Sequence, residues 1–133
     1  MSAGEAEAGD VIDGFRLEER LHQGGMAHLW RVTHPDHSIP MLMKVPRIKG
    51  GEDPATIVGF EVEMMILPML KGAHVPRFIA KGDFTTRPYI VMEHIQGESL
   101  RPLLDEAPIP AHEVASLGAR VAVALHELHR QHV

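Results

Sequence analysis

Gly24 and Gly25 stand between two stretches that alternate apolar and polar residues, and Lys44 lies in the next apolar stretch. A turn without side chains lets backbone N–H groups come close to an anionic oxygen. A lysine on the following strand adds the point charge that a phosphate group accepts. Alone, the glycine pair reads as an ordinary hairpin turn and Lys44 as a solvated strand residue. The phosphate-holding reading therefore depends on companions appearing in the right order.

The elements that would position these residues are short. Phe15–Glu18 and Leu29–Val32 read as strands, with Thr33–Ser38 as a turn. Ile39–Ile48 is a third strand, and its prolines, Pro40 and Pro46, belong at strand ends or a sheet edge because they lack a ladder donor. Asp53 and Pro54 form a helix start, a side-chain cap followed by a residue suited to the first turn. Ile57, Phe60, Met64 and Leu67 recur at helical spacing, and Pro68 is expected to kink or end that helix. Arg77–Ala80 and Tyr89–Met92 are two further strands, and Ser99–Leu104 is a short capped helix. A helix from about Ala111 to His132 carries the stripe Val114, Leu117, Val121, Leu125 and Leu128. Three strands, a helix, two strands and then helices make an α+β chain, preceded by a mobile tail over residues 1–10.

Composition narrows the function. The 133 residues suit one domain with a real core, and 44% hydrophobic with 23% charged content is globular. A formal net charge of −5 argues against a nucleic-acid surface. No cysteine is present, which excludes disulfides and thiolate metal sites and fits a reducing, cytoplasmic setting. Residues 1–10 lack the basic start and apolar run of a leader, and Met64–Leu70 is far too short for a membrane span. His126, His129 and His132 recur near a helix end without a carboxylate or cysteine partner, so they read as a polar edge, not a metal site. Met64, Met65, Met69 and Met92 read as core filler, and Asp13, Glu18, Glu19 and Arg20 as a solvated strand face.

Taken together, these segments have a family likeness. Leu21-His22-Gln23-Gly24-Gly25-Met26-Ala27-His28-Leu29-Trp30 resembles the glycine-rich loop of bacterial Hanks-type serine/threonine protein kinases. Met41-Leu42-Met43-Lys44 resembles the Val-Ala-x-Lys strand, and Phe60-Glu61-Val62-Glu63 the helix segment that carries the family's glutamate. Pro88–Leu100 resembles the strand and hinge between the two kinase lobes, and Leu125–Val133 the end of the helix before the catalytic loop. The resemblance runs from about residue 13 to residue 133. It implies a five-stranded small lobe with one helix over residues 11–95, and the first large-lobe helices over residues 96–133. It also implies that ATP is held by Gly24, Gly25, Leu29, Leu42, Lys44, Glu63, Met92, Glu93 and Ile95. In that scheme Lys44 meets the α- and β-phosphates and pairs with Glu63, chosen over Glu61 on spacing. Leu42 roofs the adenine, Met92 is the gatekeeper, and the backbone of Glu93 and Ile95 meets the adenine edge.

Three residues depart from the family pattern. His22 and Ala27 replace glycines, which stiffens the loop, and Leu42 replaces a small alanine, which crowds the base. Weak Mg-ATP binding is therefore expected. The His-Arg-Asp segment and the residues that hold Mg²⁺ would follow residue 133, so the chain alone is expected to be inactive. The implied activity of the complete enzyme is transfer of the ATP γ-phosphate to serine or threonine of an unidentified protein. The competing reading is a non-catalytic nucleotide-binding or protein-interaction module. On either reading the stripe of the 111–132 helix needs a cover, either the remaining large lobe or a second copy.

Overall fold

A computed structural model describes residues 5–23, 27–47, 54–83 and 85–133. Six strands are present among the described residues: β1 (Val11–Ile12), β2 (Phe15–Gln23), β3 (Ala27–His34), β4 (His37–Pro46), β5 (Phe78–Lys81) and β6 (Ile90–Glu93). Helix α1 (Pro54–Ile66) lies between β4 and β5 in the chain and runs into a 3-10 turn, Leu67–Met69. A second 3-10 segment, Arg101–Glu106, precedes helix α2 (Ala111–Arg130). The chain forms two compact units, one from Met1–Met69 with Pro76–Ile95 and the other from Leu70–Val75 with Gln96–Val133.

In the first unit the strands form one antiparallel sheet in the order β1-β2-β3-β4-β6-β5. Alternation along β2, β3 and β4 sends Phe15, Leu17, Trp30, Val32, Met41 and Met43 into one core, which Tyr89 and Val91 complete. The other side of β6 buries Ile90 against Phe60 and Met64 of α1. Both faces of β6 are thus covered, which is why it reads as an unbroken apolar run. Pro68 does end α1, since the helix stops at Ile66 and continues only as the 3-10 turn.

Several expectations are corrected. The sheet has a sixth strand, β1, built on the turn Asp13-Gly14, whose residues adopt φ of 50° and 85°. Two successive positive φ angles define the tight hairpin turn that Asp-Gly favours. At Gly14 a Cβ would also lie 2.6 Å from His34 Nε2. Asp13 is therefore a turn residue, not part of a strand face, and its Oδ2 accepts the Tyr89 hydroxyl at 2.6 Å. Residues 5–10, expected as a tail, lie along β2: the Gly9 N–H donates to the Leu17 carbonyl at 2.7 Å, and the Leu17 N–H to the Asp10 carbonyl at 2.8 Å. Pro40 sits inside β4, not at its end; its carbonyl accepts the His94 N–H, so its missing donor falls on the β6 side, just past the last β4–β6 pair, Met41 with Glu93. Pro46 is the last residue of β4, as expected.

The segment expected as a capped helix at Ser99–Leu104 is the 3-10 helix Arg101–Glu106, with Leu100 at its cap position and no side-chain cap. Asp53, expected as a cap, lies outside the described residues. Helix α2 ends at Arg130, two residues early, because His132 turns to a φ of 65°. Within the second unit, the Gln131 side chain closes a two-way amide pair: its Oε1 accepts the Lys71 N–H and its Nε2 donates to the Lys71 carbonyl, both at 2.8 Å. This pair fastens the segment Leu70–Val75 to the end of α2.

Burial, and then the hydrogen bond to the Asp13 carboxylate, pushes the Tyr89 phenol well above its usual range. The unfolded phenol ionises near pH 10, so this contribution to stability is complete below about pH 10 and is lost as pH rises towards the raised folded value. Tyr89 is the chain's one tyrosine, so tyrosinate absorbance reads it alone. The folded chain is expected to show no tyrosinate until it unfolds in alkali. In Asp13→Ala the phenol should titrate earlier, yet still above its usual range, because burial is the larger cause. Ionisation of the folded chain at about pH 10 would contradict the buried tie.

Candidate functional site

The site grows from the register of four strands. Leu29 of β3 faces Lys44 of β4, and Lys44 faces Ile90 of β6. One step along, Arg31 faces Leu42, and Leu42 faces Met92, which in turn faces Phe78 of β5. Residues directly opposite in a ladder, or two apart along a strand, share a face. Leu29, Leu42, Lys44 and Met92 therefore lie on the same face as Ile90, the one packed by Phe60 and Met64 of α1.

Helix α1 reaches this face because Phe60, Met64 and Leu67 recur on one side, and Glu63 falls at the edge of that stripe. Lys44 Nζ donates to Glu63 Oε2 at 2.8 Å. Glu61, the alternative carboxylate, is exposed. Side-chain exposures of 29% for Lys44 and 32% for Glu63 leave the pair in contact with water, so its value lies in geometry more than in stability. The Lys44 ammonium is held at a defined point beside an apolar row, with donors to spare for a second anion.

Met92 packs against the cluster of Phe60, Met64 and Ile90. Beyond it, Glu93 donates its N–H to the Arg77 carbonyl at 2.8 Å, and its Oε1 accepts the Arg77 N–H at 3.3 Å. The His94 N–H goes to the Pro40 carbonyl at 2.9 Å. Pro40 has no N–H to return, so the β4–β6 ladder ends there and the chain leaves the sheet. Ile95 is exposed and is the last residue of the first unit. Gly24 and Gly25 lie outside the described residues. Leu29, Leu42, Lys44, Glu63 and Met92 thus belong to one face, with Glu93 and Ile95 following directly in the chain.

Sequence reading missed two contributors. Asp13 ties the first hairpin to Tyr89, and the Asp-Gly dipeptide was its signal. Lys81 brings its Nζ to 3.5 Å from the Met64 carbonyl of α1, a contact to backbone that leaves no side-chain pattern. Among the described residues, no group of three or more His, Cys, Asp and Glu could hold a metal ion.

The chain is 27% identical over 131 residues to the serine/threonine-protein kinase PknJ of Mycobacterium tuberculosis, which covers 98% of this chain and 22% of that protein. It is 26% identical over 117 residues to the serine/threonine-protein kinase PknL of the same organism, covering 87% of this chain and 29% of the relative. The crystal structure of the M. tuberculosis PknI kinase domain superposes with a TM-score of 0.74 at 22% identity, over 96% of this chain and 52% of that domain. The chain thus spans less than a third of these two curated relatives and about half of the solved domain. No family model matches it.

Trp30, the one tryptophan and only 5% exposed, reports unfolding of the sheet through its emission. Glu63→Gln is expected to lower stability by about 0.5–1 kcal/mol in urea titration, as for a water-accessible pair. Glu61→Gln should stay within about 0.5 kcal/mol of the unaltered chain. Equal effects of the two substitutions would deny the Lys44–Glu63 pair a place in the fold.

Proposed function

We propose that this chain is part of a Hanks-type serine/threonine protein kinase domain, the ATP-holding lobe of an enzyme that phosphorylates protein serine or threonine. The observation that carries this reading is the 2.8 Å contact of Lys44 with Glu63, on the face shared with Leu42 and Met92. Phosphoryl transfer depends on positioning and on charge placed where the phosphates lie. In this reading the Lys44 ammonium, oriented by Glu63, takes α- and β-phosphate oxygens, while backbone N–H groups at Gly24 and Gly25 cradle the phosphates. Leu29 and Leu42 cover the adenine, Met92 closes its back, and the backbone of Glu93 and Ile95 hydrogen-bonds its edge.

The described residues fit the nucleotide better than the metal. Mg²⁺ takes carboxylate and phosphate oxygens, and Glu63, the carboxylate on this face, is already engaged by Lys44. When bound, Mg²⁺ would neutralise charge on the β- and γ-phosphates, with its protein ligands coming from outside these 133 residues. These residues alone are expected not to transfer phosphate. The second unit supports a further part of the proposal. Val114, Val121 and Leu125 of α2 are exposed, and Leu117, Val121 and Ala124 line an open groove of about 530 Å³. We assign that apolar face to the rest of the large lobe, with a second copy as the other possible cover. No helix among the described residues is long and apolar enough to cross a membrane, and a cytoplasmic site of action is part of the proposal.

Leu42 favours the second reading, a nucleotide-binding or interaction module without catalysis, because a branched side chain opposite Met92 narrows the space for a flat base. Two substitutions divide these ideas by calorimetric titration with Mg-ATP. Lys44→Met should weaken binding by about tenfold or more, the loss expected for a charge-assisted contact. Unchanged affinity would remove Lys44 from a phosphate site. Leu42→Ala should tighten binding by about threefold or more if crowding limits the base, given the small energies such a gain requires. Failure of both the unaltered chain and Leu42→Ala to bind any nucleotide would leave the interaction module as the surviving reading.

A further inference from the structure

Lys44 and Lys81 belong to one row of the sheet. Lys44 of β4 faces Ile90 of β6, and Lys81 of β5 faces the same Ile90 from the other side. Opposed residues share a face, so the two lysines flank Ile90 on the side that packs α1. Ile90 is fully buried and clusters with Phe60 and Met64. At one end of the row, Lys44 Nζ meets the Glu63 carboxylate at 2.8 Å. At the other, Lys81 Nζ meets the backbone carbonyl of Met64 at 3.5 Å. Glu63 and Met64 are consecutive residues of the helix.

The Met64 carbonyl needs such a partner. In an α-helix it would accept the N–H four residues on, and that residue is Pro68, which has none. Helix α1 also has no basic residue in its last turn. A cation that answers its C-terminal carbonyls must therefore come from another element. Lys81 is that cation, and its position in the Lys44–Ile90 row puts it beside the helix turn that carries Glu63.

We propose that Lys81 is a positioning residue for the nucleotide site: with Lys44 it forms a two-point clamp that fixes the last turn of α1, and so the Glu63 carboxylate, over Ile90. The proposal rests on the reading of Lys44 and Glu63 as phosphate-site residues. Ile90 supplies the apolar fulcrum, Lys44 holds a side chain and Lys81 holds backbone. Loss of the Lys81 contact lets the last turn unwind towards Pro68 and moves Glu63 relative to Lys44.

A double-mutant cycle tests the clamp on the whole chain, with urea unfolding followed through Trp30 emission. The variants are Lys81→Met, Glu63→Gln, the pair together and Lys81→Arg. Expected is coupling: the unfolding constant of the double variant departs from the product of the single effects by about threefold or more. Lys81→Arg, which keeps a cationic donor, should stay close to the unaltered chain. Strictly multiplicative effects would overturn the clamp, as would an equal loss in Lys81→Arg and Lys81→Met. Titration with Mg-ATP gives the second arm. Lys81→Met should weaken affinity by about three- to tenfold, within the range of such coupling, while Lys81→Arg retains it. Undiminished affinity in Lys81→Met would overturn a positioning role. No binding by the unaltered chain would instead defeat the proposed function, and the unfolding cycle would still decide the clamp.

Discussion

Lys44 has to keep its charge while its stem lies between the apolar residues Leu29 and Ile90, and the arrangement of the sheet around it follows from that requirement. Its neighbours across the ladder are Leu29 and Ile90, which offer the ammonium nothing. Withdrawing a charge from water without a partner is costly, so the side chain must either reach solvent or find a carboxylate. It does both in part: it remains 29% exposed and lies 2.8 Å from Glu63. The carboxylate can stand there only if α1 is laid against the sheet, and Phe60 and Met64 achieve this by burying themselves on Ile90. Apolar burial supplies the energy and the ion pair supplies the direction.

The same requirement fixes β4. Met41 and Met43 fill the core shared with Trp30 and Val32, so Leu42 and Lys44 must point the other way. A slip of one residue would put Lys44 into that core and Met43 against Glu63, so the register is strongly determined. Pro40, which cannot donate to a ladder, stands just past the last β4–β6 pair, Met41 with Glu93. Pro40 also ends the pairing with β6, and at His94 the chain becomes free to turn out of the sheet. A proline that looks like a defect inside a strand thus marks where the sheet releases the segment leading to Ile95.

What could be read from the sequence was whatever depends on side-chain type at a fixed spacing. The order of Lys44, Glu63 and the Pro88–Met92 run carries the sheet, the helix and the ion pair, because each is written in residue identities. Contacts in which one partner is backbone were not legible. Lys81 reaching the Met64 carbonyl, Gln131 pairing with both backbone groups of Lys71, and the residue 5–10 segment lying along β2 are of this kind. Asp13-Gly14 was legible and was misread, since a polar residue beside a strand looks solvated until its turn geometry is considered. The short segment near Leu100 failed for another reason: Ser99 is a good cap, but Pro102 and the tight 3-10 winding place Leu100 at the start instead.

Leu42 brings stability and ligand space into conflict. It sits opposite Met92, on the face where Met92 packs against Phe60, Met64 and Ile90. A larger apolar side chain there covers more surface and favours the folded lobe. A flat base bound on the same face would need the volume that Leu42 and Met92 occupy between them. Packing cannot be tightened at this point without taking room from the ligand, because interiors at near-crystalline density have no spare volume to share. In the proposed nucleotide site, leucine at this position stands beside histidine and alanine at positions 22 and 27, three departures from the kinase pattern. The Lys44 ammonium lies outside that conflict, because Glu63 orients it at 2.8 Å while its side chain stays 29% exposed.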